Sequence, residues 1–347
     1  MRKRNIAVLF GGCSPEHGVS LESAYSVICN IDRERFNPIL IGISQRGDWN
    51  CFCGDVRKIR EGTWLNPADC TPATLSVNRS DRALLVLRGG GVQRIPLDAA
   101  FPVLHGKNGE DGTVQGLVEL AGIPLVGCGA LATALCMDKD RAHRLAAASG
   151  VAAPDSRVVR AGEREQAAAR AAEVGWPLFV KPVGAGSSFG VTRVSGPEDL
   201  APAVELAFSY DDRILLEKNV EGFEVGCAVL GNDELTVGAV DEIELSEGFF
   251  SFEEKYTLKS SVIHVPARIT PGKAAEIRQT AETVYRALGC RGFARVDLFL
   301  TPDGRIIFNE VNTIPGFTSH SRFPSMMQAA GIPFGELLTR AVELAFS

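Results

Sequence analysis

Residues 5–10 (NIAVLF) form an unbroken apolar run of strand length, and Gly11-Gly12 follow it as a turn. Beyond the turn, Ala24, Val27, Ile28 and Ile31 recur at helical spacing, which predicts a helix capped by Ser20. The runs PILIGI and AAFPVLH repeat the buried-strand pattern, and GIPLVG adds a shorter one. Strands alternating with helices predict an α/β unit with a mostly parallel sheet, whose functional loops lie at the carboxyl ends of the strands. Glu16 and His105 both fall in such loops.

The pattern changes near Cys128. MDKDRAHRLAAASG reads as a helix ending on Gly150, EREQAAARAAEV as a second helix, and WPLFVK as a strand, together a small α+β unit. Within it, VKPVGAGSSFGVTRV is two strand-like runs joined by a loop holding Gly184, Gly186, Ser187, Ser188 and Gly190. From Lys218 the chain is strand-rich, with one strong helix, AAEIRQTAETVYRALG, and a helix at its end. The expected division is therefore residues 1–127, 128–217 and 218–347.

Composition narrows the function. The 347 residues are 45% hydrophobic and 22% charged, enough to bury a core in two or three domains. A net charge of -6 lacks the basic excess of a nucleic-acid binder. The run after MRKRN stops at Phe10, too short for a signal sequence or a membrane span, and nine scattered cysteines without a C-x-x-C pair fit reduced thiols in a cytoplasm. Neither they nor the five separated histidines make a metal-ligand set.

Chemistry concentrates in FARVDLFL-TPDG-RIIFNEVN, which reads as a β-hairpin. Pairing symmetric about Pro302-Asp303 sets Arg295 opposite Glu310, with Asp297 diagonal to it and Asn312 further along the same face. Asp297, Glu310 and Asn312 offer oxygen ligands only, the preference of magnesium, while Ala294, Val296, Leu298 and Leu300 face a core. An exposed face with a surface ion pair is the alternative. The Gly/Ser loop after Lys181 suits phosphate oxygens, although it is neither G-x-x-x-x-G-K-[ST] nor G-x-G-x-x-G, and a plain hairpin tip remains open. In LLEKNVEGFEVG, Glu217, Lys218 and Glu224 sit at strand ends, where they are either solvated or aimed at a nucleoside. The irregular stretch GFFSFEEKYTLKSS has the character of a closing lid.

At these residues a resemblance becomes specific. GGCSPEHGVSLESA, LHGKNGEDGTVQG, MDKDRAHRL, EKNVEGFEVG, EEKYTLKSS, RVDLF and NEVNTIPGFTSHSR resemble, in order and over essentially the whole chain, the signatures of the D-alanine:D-alanine ligase family of the ATP-grasp fold. Within that family the chain is similar to the D-alanine:D-serine ligases of vancomycin resistance, of the VanG type, through HGKNGEDG, ALCMDKDRAH, FEVGCAVLG and EKYTLKSS.

The resemblance implies a three-domain ATP-grasp ligase with a Rossmann-like amino-terminal domain. Its expected reaction phosphorylates D-alanine with ATP and transfers the acyl group to the amine of a second D-amino acid. Carried over by position, Asp297, Glu310 and Asn312 resemble ligands of two magnesium ions, with manganese as an expected substitute. Lys139, Lys181 and Lys255 resemble phosphate contacts, and Glu217, Lys218, Val220 and Glu224 resemble adenosine contacts. Arg295 and the Gly316 amide resemble oxyanion stabilisers, Glu16 the holder of the first D-alanine's ammonium, and Glu16, Ser187 and Tyr256 a hydrogen-bonded triad. His105 is expected in the substrate pocket, with Ser321 and Arg322 holding the second substrate. Tyr256 stands where D-lactate ligases carry histidine, implying an amine nucleophile. Arg322 and Phe250 resemble serine ligases, because a guanidinium can hydrogen-bond the hydroxyl of D-serine. The resemblance also implies a cytoplasmic homodimer acting on D-alanine and D-serine, apart from nucleic acid and membrane. A D-alanine:D-alanine ligase, another ATP-grasp ligase and a non-catalytic nucleotide-binding module are the competing readings.

Overall fold

The computed structural model describes residues 2–245, 261–318 and 320–347. Phe250, Lys255 and Tyr256 lie outside the described residues, as does the proposed lid that contains them. Three sheets organise the chain.

The first has seven strands: β1 (Arg4–Gly11), β2 (Phe36–Ile43), β3 (Trp49–Phe52), β4 (Cys70–Leu75), β5 (Ala83–Arg88), β6 (Gly91–Pro96) and β7 (Ala99–Pro102), in the order β6-β5-β4-β3-β2-β1-β7. It is parallel only where β1 pairs with β2 and β7; from β2 to β6 the neighbours run antiparallel. The mostly parallel sheet expected from the strand–helix alternation is thus confined to the three strands nearest the site. Residues 44–48 between β2 and β3 are too few for a crossover helix, so the chain turns back on itself. GIPLVG contributes a single parallel bridge, Ala100 to Leu125, instead of a strand.

Helix His17–Asn30 begins ahead of Ser20, with Glu16 in the capping position. Ser20 does other work: its hydroxyl accepts from the Gly11 amide at 2.8 Å and donates to the Val103 carbonyl, tying the exits of β1 and β7 together.

The second sheet, β8 (Ser156–Arg160), β9 (Leu178–Pro182), β10 (Thr192–Val194) and β11 (Arg213–Lys218), is antiparallel in the order β10-β9-β11-β8. Leu178, Val180, Ile214 and Leu216 pack there against helices Ala167–Val174 and Leu200–Phe208. The Gly/Ser loop is the β9–β10 connection.

The third sheet, β12 (Phe223–Gly231), β13 (Leu235–Leu245), β14 (Ser261–His264), β15 (Phe293–Leu300) and β16 (Ile306–Asn312), is antiparallel in the order β14-β13-β12-β15-β16. One face buries Val225, Cys227, Val296 and Leu298 against Ile277, Ala281 and Val284 of helix Pro271–Ala287. Helices Ala130–Met137 and Lys139–Ala148 join this same core through Ala132, Cys136, Ala142 and Ala146. Part of the opposite face, at Ala228, Leu230 and Phe293, meets helices Arg322–Ala329 and Phe334–Leu344 and merges with the core of the first sheet. The remainder carries charge.

Candidate active site

The charged face grows from strand pairing. Gly226 pairs with Asp241 on one side and with Asp297 on the other, and Asp297 pairs with Glu310, so β13, β12, β15 and β16 set these four residues in one row. Arg295 pairs with Asn312. The symmetric register expected for the hairpin is therefore corrected: Arg295 faces Asn312, and Glu310 faces Asp297. The turn is one residue longer than assumed, and a bulge follows the Asp297–Glu310 pair, leaving Asn309 unpaired. Each irregularity moves the pairing by one residue, so two restore the original face.

Asp241 and Asp297 are fully buried, at 0% and 1% exposure. Arg295 grips Asp297 with Nε at 2.8 Å and Nη2 at 2.7 Å, while Asn312 Nδ2 donates to the same carboxylate at 2.8 Å. Arg322 donates from Nε and Nη2 to Asp241 at 2.7 and 2.8 Å, and from Nη1 to Glu224 at 2.9 Å, with Nη2 3.4 Å from Asp297. Burial opposes the guanidinium charge of Arg322, but Asp241 and Asp297 overcome it and hold its pKa well above the ordinary value. Only glycine fits beneath this network: a Cβ on Gly226 would lie 2.3 Å from Arg322 Nη2 and 2.5 Å from Asp241 Oδ1.

A cleft of about 700 Å³ opens above the row. It collects Glu16 and His105 from the first unit, Lys139, Gly186 and Ser187 from the middle of the chain, and Arg295, Glu310, Asn312, Gly316, Ser321 and Arg322 from its end. Lys139 Nζ donates to the Ala185 carbonyl at 2.6 Å and stands 3.9 Å from Glu310. The Ser187 hydroxyl donates to Glu16, with both Ser187 and Ser188 at positive φ, so the Gly/Ser loop is drawn onto the first unit. Ser321 Oγ accepts from the Thr318 amide at 3.1 Å, two residues beyond Gly316.

The other expected residues sit deeper or outside the cleft. Lys181 Nζ donates to Glu217 Oε1 at 2.6 Å in a buried pair, and Glu217 Oε2 is buried without a partner among the described residues. Lys218 is exposed at the end of β11, and Val220 is half-buried just beyond it. Glu224 is held by Arg322.

Two site residues escaped sequence reasoning. Asp241 opens DEIELS, a stretch that shares the likeness to the D-alanine:D-serine ligases but gave no reason to single out that aspartate. Glu110 lies in HGKNGEDG, which supplied His105 but gave no reason to single out that glutamate. It accepts from the Gly106 amide at 2.9 Å and from the Ile314 amide at 3.2 Å, joining the first unit to the loop before Gly316. Burial first, and then the charge of Glu16, push its carboxyl up to about 8. Burial likewise lowers His105, whose Nδ1 is 4.0 Å from Glu110.

The donor chemistry fits a magnesium–nucleotide pair. Asp297, Glu310 and Asn312 present oxygen ligands around one strand pair, and among the described residues no group of three His, Cys, Asp or Glu competes for a metal. Magnesium takes few protein oxygens and completes its shell with water and phosphate. The buried unpaired oxygen of Glu217 is an acceptor of the kind an exocyclic amine satisfies.

The family models described as the D-ala D-ala ligase N-terminus and C-terminus match residues 5–128 and 145–343. The chain belongs to the D-alanine:D-alanine ligase family. It is 47% identical to a putative D-alanine–D-lactate ligase of Streptomyces coelicolor over 100% of this chain and 99% of the relative. It is 42% identical to the D-alanine–D-alanine ligase of Caldicellulosiruptor bescii over 99% and 96%. The crystal structure of the VanG D-Ala:D-Ser ligase from Enterococcus faecalis superposes with a TM-score of 0.91 at 51% identity, covering 99% of this chain and 100% of that one. As a member of this ligase family, the protein is an enzyme that uses ATP and a divalent cation. Among the described residues no helix is long and apolar enough to cross a membrane.

Proposed function

We propose that this ligase joins D-alanine to D-serine through a D-alanyl phosphate, supplying the dipeptide for peptidoglycan precursors of the vancomycin-resistant type. The observation that carries this reading is the cleft itself, where Glu16, Lys139, Arg295 and Arg322 converge from different parts of the chain.

In this reading Glu16 holds the ammonium of the first D-alanine by a charge-assisted contact. Lys139, Lys181 and the backbone amides of the Gly/Ser loop take phosphate oxygens, with Lys255 added from the 246–260 segment, while Glu217, Lys218, Val220 and Glu224 take adenosine. Two magnesium ions on Asp297, Glu310 and Asn312, or manganese in their place, supply positive charge to the phosphates. Arg295 and the Gly316 amide face the oxygen that gains negative charge as the amine attacks. Ser187 and Tyr256 link Glu16 to the lid. Ser321 takes the second substrate's carboxylate, and His105 and Phe250 shape the pocket. The expected units, 1–127, 128–217 and 218–347, then meet at the cleft in a cytoplasmic homodimer.

D-Serine is preferred because Arg322, a buried guanidinium, lines the cleft beside Ser321. A polar group placed there gains from a hydroxyl what an apolar one does not. The likeness to the VanG D-Ala:D-Ser ligase supports the same choice. The D-alanine:D-alanine ligase is the second reading, favoured by the likeness to the Caldicellulosiruptor bescii enzyme.

The test is phosphate release with D-alanine alone, with D-serine added and with D-lactate added, the products identified by mass. D-Serine should stimulate turnover at neutral pH and the mixed dipeptide should dominate. Absence of stimulation returns the enzyme to D-alanine:D-alanine ligation, and an ester product overturns the amine specificity.

A further inference from the structure

Two glutamates meet at Gly106. The Gly106 amide donates to Glu110 Oε2 at 2.9 Å, and Glu16 Oε2 lies so close that a Cβ on Gly106 would be 2.7 Å from it. Both carboxyl groups line the cleft, Glu16 at 5% exposure and the Glu110 side chain at 12%. Among the described residues, the charged and titratable groups facing Glu110 are Glu16, which opposes its ionisation, and Arg295, which favours it, with His105 alongside. His105 is held toward its neutral form by burial, so it brings little compensating charge. Two carboxylates this close in a dry pocket cannot both ionise cheaply.

We propose that Glu110 shares with Glu16 the recognition of the first substrate's ammonium, and that the pocket releases a proton when that ammonium enters. Before binding, Glu110 is largely in its acid form, since its carboxyl titrates at about 8. The arriving cation stabilises two negative charges where one stood before, and the Glu110 proton leaves to solvent while the amine keeps its own. No covalent bond of the substrate changes. Glu110 accepts from the Ile314 amide, so the same event tightens the link between the first unit and the loop that carries Gly316. Glu110 is in this sense both a substrate contact and a positioning residue. The inference rests on the assignment of the ammonium to Glu16 made above.

The experiment is calorimetric titration of the whole protein with D-alanine, in the presence of magnesium and a non-hydrolysable ATP analogue, in buffers of different ionisation enthalpy. At pH 7.5 a group titrating near 8 is about three-quarters protonated, so D-alanine should release about 0.75 proton, falling to about 0.25 at pH 8.5, where the D-alanine amine is still almost wholly protonated. Glu110→Gln should bind D-alanine about tenfold more weakly and release almost no proton. Binding by the unaltered protein with no proton release at pH 7.5 overturns the proposal, and that measurement needs no variant to fold. Glu16→Gln separates the two assignments. If it binds D-alanine as the parent does, the ammonium is not at Glu16 and the reading beneath the proposal falls. If it loses binding while the parent releases no proton, only the role of Glu110 falls.

Discussion

The two antiparallel sheets beside the cleft bury charge in contrasting ways. In the four-stranded sheet, Lys181 and Glu217 form one isolated pair, a single cation against a single anion on neighbouring strands. In the five-stranded sheet, Arg322 touches Asp241, Glu224 and Asp297, and Asp297 also receives Arg295 and Asn312. With Glu310 beside them, acidic groups outnumber the two guanidinium groups on that face. The isolated pair cancels its own charge and leaves one acceptor for a neutral donor, Glu217 Oε2. The network leaves anionic capacity over, and the proposed reading spends it on a divalent cation and a phosphate chain.

The comparison can be broken most forcefully at Glu310. Glu310→Gln removes one anion from the acidic side without disturbing the Arg322 contacts, and turnover should fall about a thousandfold, equivalent to about 4 kcal/mol of barrier. Steady-state phosphate release measures this; turnover within tenfold of the parent would mean that the spare acidity is not catalytic. Next in size is Asp241→Ala, which strands a buried guanidinium. A loss of about 3 kcal/mol of stability is expected by urea denaturation. A loss under 1 kcal/mol would show that Glu224 and Asp297 suffice to hold Arg322. The smallest effect belongs to the isolated pair: Lys181→Met combined with Glu217→Leu should stay within about 1 kcal/mol of the parent in stability, because both members are replaced by apolar groups of similar volume. The same double variant should raise the KM for ATP, since it removes two proposed nucleotide contacts. If it unfolds instead, Lys181 and Glu217 are as interlocked as the network and the contrast disappears.

These contrasts also mark what could be read in advance. The alternation in FARVDLFL places Ala294, Val296 and Leu298 in the core and Arg295 and Asp297 on the opposite face, because side chains on a strand follow a period of two wherever the strand pairs. The Gly/Ser loop was equally legible, since its composition matches a connection with positive-φ residues at Ser187 and Ser188. The register of the hairpin was not, because a longer turn and a bulge are settled by packing against β12 as well as by TPDG. The mixed character of the first sheet was missed for a different reason: residues 49–96 hold four short antiparallel strands, β3 to β6, to which the apolar pattern assigned no element.

By itself, the sequence determined the strands and helices that carry the cleft, which strand face is acidic, and the family to which the chain belongs. Local periodicity and motif chemistry depend only on neighbours along the chain. The tertiary structure alone decided that Arg322 is gripped by Asp241, that Gly226 must stay bare beneath them, and that Glu110 comes to rest beside Glu16. Each of these depends on distance through space between distant residues, and on the desolvation that closing the cleft imposes on whatever charge it encloses.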